Sequence, residues 1–144
     1  MISVIVGFRN REIERIIKFL NSFSSQKFKN FELIFCDYGS DDHSRQEIER
    51  ITTNYDFVNY IYCDTRGQFW NRSHALNIGA KCAKFNNLLF ADIDLIFSDQ
   101  ILSKLKTLDT EKYFYTFQCF YSNHRFDNYV FDDYLIQHSK INYV

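Results

Sequence analysis

The sequence predicts an α/β fold, a mostly parallel sheet flanked by helices on both faces in three α/β/α layers. Two observations predict it: short apolar, β-branched runs alternate with segments of helical period, and each run ends in a cluster of polar residues. Alternation at this spacing implies βαβ units, right-handed crossovers and a mostly parallel sheet.

In chain order, Ile2-Ser3-Val4-Ile5-Val6-Gly7-Phe8 is almost wholly apolar, which suits a central parallel strand covered on both faces. From Arg11 the period changes. Ile13, Ile16, Ile17, Leu20 and Phe23 recur at three and four with Arg15, Lys18 and Asn21 between them, so an amphipathic helix is expected, with Asn10 as its N-cap. Phe31 to Cys36 reads as the second strand, running into the polar turn Asp37-Tyr38-Gly39-Ser40-Asp41-Asp42, and Ser44 to Thr53 as the second helix. Val58 to Cys63 makes a third strand. The third helix spans about Asn71 to Lys84, with Ala75, Leu76, Gly79, Cys82 and Ala83 along its inner stripe. Asn87 to Ala91 is the fourth strand and ends directly at Asp92-Ile93-Asp94. Beyond it lie a short helix at about Asp99 to Leu108, an aromatic strand from Tyr113 to Tyr121, and an acidic and aromatic tail.

At 144 residues one hydrophobic core is expected, and 46% hydrophobic with 24% charged residues is ordinary globular usage. The absence of proline and the 19% aromatic content describe the coding sequence more than the function. A net charge of −1 with interspersed signs offers no broad basic surface, so nucleic acid is a poor candidate partner and a small ligand a better one. The four cysteines form no Cys-x-x-Cys pair and follow no signal-peptide segment, which fits reduced, mostly buried thiols in the cytoplasm. No apolar run approaches the roughly 18–20 residues of a membrane span. The chain is therefore expected to be soluble, with room for peripheral attachment at the inner face of a membrane.

Ligands of such sheets bind beyond the carboxyl ends of the strands. Polar clusters stand at all four ends: Arg9 and Asn10, Asp37 to Asp42, Asp64 to Gly67, and Asp92 to Asp94. Two carboxylates one residue apart at a strand end can both turn toward a hard divalent cation. The motif alone is weak evidence. Its setting between Leu88-Leu89-Phe90-Ala91 and Leu95-Ile96-Phe97 adds to it, because carboxylates buried there would need a metal, a cationic partner or donated hydrogen bonds. The structural alternative is a pair of strand-end acids capping the helix at Asp99.

A second stretch, Arg66-Gly67-Gln68-Phe69-Trp70-Asn71-Arg72-Ser73-His74-Ala75-Leu76-Asn77-Ile78-Gly79-Ala80, carries a resemblance. It is similar to the glycosyltransferase family 2 pattern of Arg-Gly, then Ala-x-Asn-x-Gly, then an apolar strand ending in Asp-x-Asp. Asn71-Arg72-Ser73, Leu76-Asn77-Ile78-Gly79 and Asp92-Ile93-Asp94-Leu95-Ile96-Phe97 also resemble β1,4-galactosyltransferases and capsule and chondroitin-type polymerases. With the opening strand and Asp37 to Asp42 in place of the family's Asp-Asp-Gly-Ser-x-Asp, the resemblance covers residues 2 to about 98. Tyr38 departs from the second Asp of that turn, and Phe8-Arg9-Asn10 from the usual Pro-x-Tyr-Asn loop.

The resemblance implies a single GT-A-like, Rossmann-like domain over residues 1–144, with 1–98 the nucleotide-sugar-binding half and 99–144 the start of a truncated or minimal acceptor-side half. It implies that Phe8 and Arg9 line the uracil and ribose pocket, that Asp37 accepts from uracil, and that Arg66 faces the diphosphate or ribose. Asn77 and the helix beginning near Asn71 would border the donor site, with Asp92 near the ribose and donor sugar and Asp94 binding Mn2+ or Mg2+. The activity implied is inverting transfer of a hexose or N-acetylhexosamine from a UDP-sugar to a glycan acceptor. A dication and an arginine would offset the charge of the departing diphosphate. Inversion needs a carboxylate base. Asp127, Asp132 and Asp133 are the acids of the tail, and Asp132 is taken as the candidate. The alternative is a nucleotide-sugar-binding chain without turnover, lacking that base.

His74 reads more readily as a polar surface residue than as a ligand or base, and His124 as a strand residue than as a late metal ligand. Trp70 divides evenly between core packing and closure over a sugar. The stripe Tyr113, Tyr115 and Phe117, with Phe114 and Phe120 alternating, fits a half-buried strand better than a sugar platform.

Overall fold

The computed structural model describes residues 1–117 and the strand Ile136–Lys140. The candidate base Asp132, its neighbours Asp127 and Asp133, the candidate ligand His124, and Phe120 all lie outside the described residues. The chain divides into two compact units, Met1–Lys106 and Thr107–Val144.

In the first unit the order is β1 (Ile2–Phe8), α1 (Ile13–Ser24), β2 (Phe31–Asp37), α2 (Asp42–Thr52), β3 (Val58–Tyr62), α3 (Arg72–Cys82), β4 (Asn87–Ala91) and α4 (Ile101–Leu105). The four strands form one parallel sheet in the order β3-β2-β1-β4. Every residue of β1 and β2 is buried, as their unbroken apolar runs require, because both faces of the sheet are covered. On one face Phe8 meets Phe35, and Phe19 and Phe23 of α1 pack against Phe35 and Phe31. On the other, Ile5 and Ile34 pack with Leu76 of α3, and Cys36 with Ala75. This is the mostly parallel, helix-flanked sheet that the sequence predicts.

The small residues of α3 have a steric reason. A Cβ on Gly7 would stand 2.8 Å from the Ala75 Cβ, and one on Gly79 would stand 2.6 Å from Ile5 Cγ2, so α3 lies on β1 only where those side chains are missing. The start of α3 is set by Asn71, whose side chain accepts from the His74 N–H at 2.9 Å.

Several boundaries differ from expectation. Asn10 is not the N-cap of α1. That position is Glu12, while Asn10 adopts φ 48° and binds the loop after β2 instead. Helix α3 stops at Cys82 with Ala83 extended, which leaves Cys82 exposed, whereas Cys36 is buried and Cys63 half-buried. Helix α4 is shorter than expected, and its N-cap is Gln100 without a side-chain cap bond, so Asp99 does not cap it. Asp99 instead pairs with Lys27 at 3.0 Å, and buried Gln26 bonds the Ser98 carbonyl at 2.6 Å and the Leu102 N–H at 3.2 Å. With Phe97 against Phe19 and Phe23, these contacts fasten the segment after β4 to α1.

In the second unit β5 (Tyr113–Phe117) pairs antiparallel with β6 (Ile136–Lys140). Tyr113, Tyr115 and Phe117 are half-buried and Phe114 is exposed, the alternation of a strand with one covered face. Among the described residues no helix is long and apolar enough to cross a membrane.

Candidate functional site

The strand order fixes where a ligand belongs. From β1 the chain moves through β2 to β3 on one side, then returns to place β4 on the other side of β1. The order reverses between β1 and β4, and the crevice beyond the carboxyl ends at such a switch point is where open α/β sheets bind ligands. The loops after β1 and β4 flank that crevice.

After β4, Asp92 and Asp94 are exposed while Ile93 between them is buried. The reading that this pair is buried between apolar segments is therefore corrected. Only the middle residue is anchored, which leaves both carboxylates free to face solvent. Asp92 Oδ1 accepts from Arg72 Nε at 2.7 Å. The hydrogen bond to Glu12 raises the Arg15 guanidinium of α1 above its ordinary value, and the Asp94 charge adds a smaller push in the same direction. Among the described residues no group of three or more His, Cys, Asp or Glu side chains could hold a metal ion by itself. Two exposed carboxylates do fit a Mg2+-like ion that takes its remaining ligands from water and phosphate oxygens, as such ions commonly do.

After β1, the two residues expected to line a base and ribose pocket are turned inward. Phe8 is buried with its ring centroid 4.4 Å from that of Phe35. Arg9 is a staple between loops. Its Nε donates to the Tyr38 carbonyl, Nη1 to the Gln68 carbonyl at 2.7 Å, and Nη2 to Thr65 O and Oγ1 at 3.1 and 3.0 Å. Asn10 completes the tie, its N–H donating to Ser40 Oγ at 2.8 Å and its Oδ1 accepting from the Asp41 N–H at 2.9 Å.

Asp37 also differs from expectation. It is fully buried, with Oδ1 accepting from the Ser40 N–H and Oδ2 from the Tyr60 hydroxyl, both at 2.9 Å. A carboxylate so enclosed shapes the β2 turn and has no surface to offer a uracil ring. Burial pushes the Tyr60 phenol well above its ordinary range, and the neighbouring Asp37 charge pushes it further.

Arg66 lies exposed after β3, bonded to Asp64 at 2.8 Å and Asp42 at 2.9 Å. The hydrogen bond to Asp64 and its charge hold the guanidinium above its ordinary value, and the same bond holds Asp64 below the usual carboxylate range. Asn77 is exposed on α3.

Sequence reasoning passed over the group around Tyr38. This residue, in the position of a family aspartate, is buried, and its hydroxyl lies 2.7 Å from His74 Nδ1. Its ring stands edge-on to Trp70 with centroids 5.6 Å apart and lies under the Arg9 guanidinium. Tyr38 thus ties the β2 turn to the first turn of α3. Arg72 was also passed over as a functional residue. Asn71 before it marked a helix start, but nothing in the local pattern pointed to a partner twenty positions on.

Comparisons with known proteins agree with this fold. WfaP of Escherichia coli, a UDP-Glc:alpha-D-GlcNAc-diphosphoundecaprenol beta-1,3-glucosyltransferase, is 27% identical over 122 residues, covering 84% of this chain. The chain spans about half of that relative's length (46%). The S. aureus TarS structure superposes with a TM-score of 0.64 at 27% identity, over 74% of this chain and 19% of TarS. A shorter TarS, residues 1–349, solved with UDP-GlcNAc gives 0.62 over 74% and 30%. A Pyrobaculum calidifontis mannosyltransferase at 19% identity, TM-score 0.64, covering 78% of this chain and 34% of its own, supports the fold alone. The family model described as Glycosyl transferase family 2 matches residues 3–141, nearly the whole sequence, and the chain belongs to that family.

Proposed function

We propose that this chain is the nucleotide-sugar-binding part of an inverting glycosyltransferase that moves a hexose or N-acetylhexosamine from a UDP-sugar to a glycan acceptor with Mn2+ or Mg2+. The observation that carries the reading is the switch-point edge itself. Two exposed carboxylates end β4, and an arginine on the first turn of α3 reaches one of them. The UDP-Glc in the name of the E. coli relative and the UDP-GlcNAc bound to TarS favour a uridine donor. The likeness of Asn71-Arg72-Ser73 and Asp92 to Phe97 to galactosyltransferases and chondroitin-type polymerases favours a hexose or its N-acetyl relative.

On this reading Asp94 binds the dication, Asp92 lies by the ribose and donor sugar, and Arg66 and Arg72 face the diphosphate. The dication supplies a Lewis acid for the leaving diphosphate. Asp37 and Arg9 act at one remove, holding the loops after β2 and β3 that receive the base and ribose. Asp132 is the proposed base for the acceptor hydroxyl.

The test is calorimetry of UDP with the purified chain. Binding should require Mn2+ and weaken at least about tenfold in Asp94→Asn, the scale expected when one charged interaction is removed. Binding indifferent to a chelator would overturn the reading. A second reading is nucleotide-sugar binding without turnover. Product formation from a UDP-sugar and a glycan acceptor separates the two, since only the first predicts it.

A further inference from the structure

Three arginines stand at the carboxyl edge of the sheet, and they are engaged in different ways. Arg9 donates to backbone carbonyls and the Thr65 hydroxyl. Arg66 is committed to Asp64 and Asp42. Arg72 alone of these three contacts the β4 turn, its Nε 2.7 Å from Asp92 Oδ1, with both side chains about half exposed at 50% and 51%. Its backbone is well fixed. It follows the Asn71 cap directly, and two residues later His74 is bonded to buried Tyr38. The guanidinium, by contrast, is exposed and can turn from one partner to another without moving the helix.

A guanidinium does not lose its proton in a protein, so raising the pH does not free Asp92 from this contact. An exchange of partners does. A bare dication approaching Asp92 and Asp94 meets a fixed positive charge already satisfying one of them, and the two cations repel. A diphosphate approaching the same edge offers the planar guanidinium a bidentate acceptor that competes with the carboxylate. The two ligands therefore ask opposite things of Arg72, and their joint arrival resolves the conflict.

We propose that Arg72 is a positioning residue that holds Asp92 in the free protein, lowering the affinity of the edge for a bare dication, and exchanges Asp92 for the diphosphate when the nucleotide binds. This rests on the UDP-sugar reading above. It adds that metal and nucleotide bind with positive coupling, and that the coupling is carried by this side chain.

The experiment compares wild type with Arg72→Gln and Arg72→Lys, each checked for folding by far-UV circular dichroism. Mn2+ affinity is read first without nucleotide, by the electron paramagnetic resonance signal of free Mn2+, and UDP affinity is then read by calorimetry at saturating Mn2+. Removing a half-exposed ion pair should tighten Mn2+ binding in Arg72→Gln by about two- to fivefold. Removing a charged hydrogen bond to the diphosphate should weaken UDP binding by about tenfold or more. Arg72→Lys, which keeps the charge without the fork, should restore the low Mn2+ affinity and only part of the UDP affinity.

Opposite signs are the signature, because a merely structural role for Arg72 would weaken both affinities together. Unchanged or weaker Mn2+ binding in Arg72→Gln overturns the hold on Asp92, and unchanged UDP binding overturns the exchange. Should wild type bind UDP with Mn2+ while Arg72→Gln gains no Mn2+ affinity, this inference fails and the UDP reading stands. Should wild type bind no UDP at any Mn2+ concentration, the UDP reading and the exchange fail together, and the Mn2+ arm alone still decides the hold on Asp92.

Discussion

Replacing Gly39 with alanine should cost the protein about 2–5 kcal/mol, the sum of two separable effects. Gly39 has φ +81°, a left-handed conformation that costs an L-residue about 1–2 kcal/mol. A Cβ there would also stand 2.8 Å from Thr65 Oγ1, 2.9 Å from the Arg66 backbone nitrogen and 3.0 Å from the Thr65 carbonyl carbon. Two of those atoms are backbone and cannot rotate away, and Arg9 already holds Thr65 by its carbonyl and its hydroxyl. Overpacking of this kind costs about 1–3 kcal/mol. Gly67 supplies the control. Its φ is +82° with nothing within 4 Å of an added Cβ, so Gly67→Ala should lose only the conformational part, about 1–2 kcal/mol. The assay is urea unfolding followed by far-UV circular dichroism. With a slope of about 1–3 kcal/mol per molar urea, a 3 kcal/mol loss moves the midpoint by roughly 1–3 M. Equal losses in the two variants would refute the claim that the β2 and β3 loops touch at Gly39.

Two further outcomes follow from contacts at the same edge. Tyr38→Phe keeps the ring against Trp70 and under Arg9 but removes the hydroxyl bonded to His74, so urea unfolding should show a loss of about 0.5–1.5 kcal/mol, and no measurable loss would count against that bond. Asp41 caps α2 by accepting from the Ser44 N–H, and that bond holds its carboxyl below the usual range. Its contribution is therefore complete above the unfolded value of about 3.9 and is lost as pH falls through the lower folded value. Asp41→Asn, an equally good cap that does not titrate, should flatten the acid limb of the stability profile below about pH 4, and an unchanged limb would assign the acid loss elsewhere.

The candidate site was legible as a set of places more than as a set of contacts. Asp92 and Asp94 do stand at the end of β4, and Asn71 does start α3, because a strand end and an N-cap are written in a few consecutive residues. Asp37 and Arg9 occupy the loops where the resemblance put them, yet both turn inward. The motif specifies that a carboxylate and an arginine are needed there without specifying what they bind. Tyr38 shows the reason most clearly. It departs from a family aspartate, and its ring and hydroxyl tie the β2 turn to the first turn of α3.

By itself the sequence determined the strands, the helices, the alternation that makes the sheet parallel, and the small residues that let α3 approach β1. Each of these follows from periodicity and side-chain size within a short window, where burial leaves a local trace. Only the tertiary structure decided that β4 lies beside β1, and so that the strand order reverses between the loops that carry Arg9 and Asp92. It also decided that Arg72 reaches Asp92, that Asp37 is enclosed by Tyr60, and that Asp92 and Asp94 face solvent. A polar side chain takes whichever partner the topology brings within about 3 Å, the reach of a hydrogen bond, and no stretch of consecutive residues records which loops will meet.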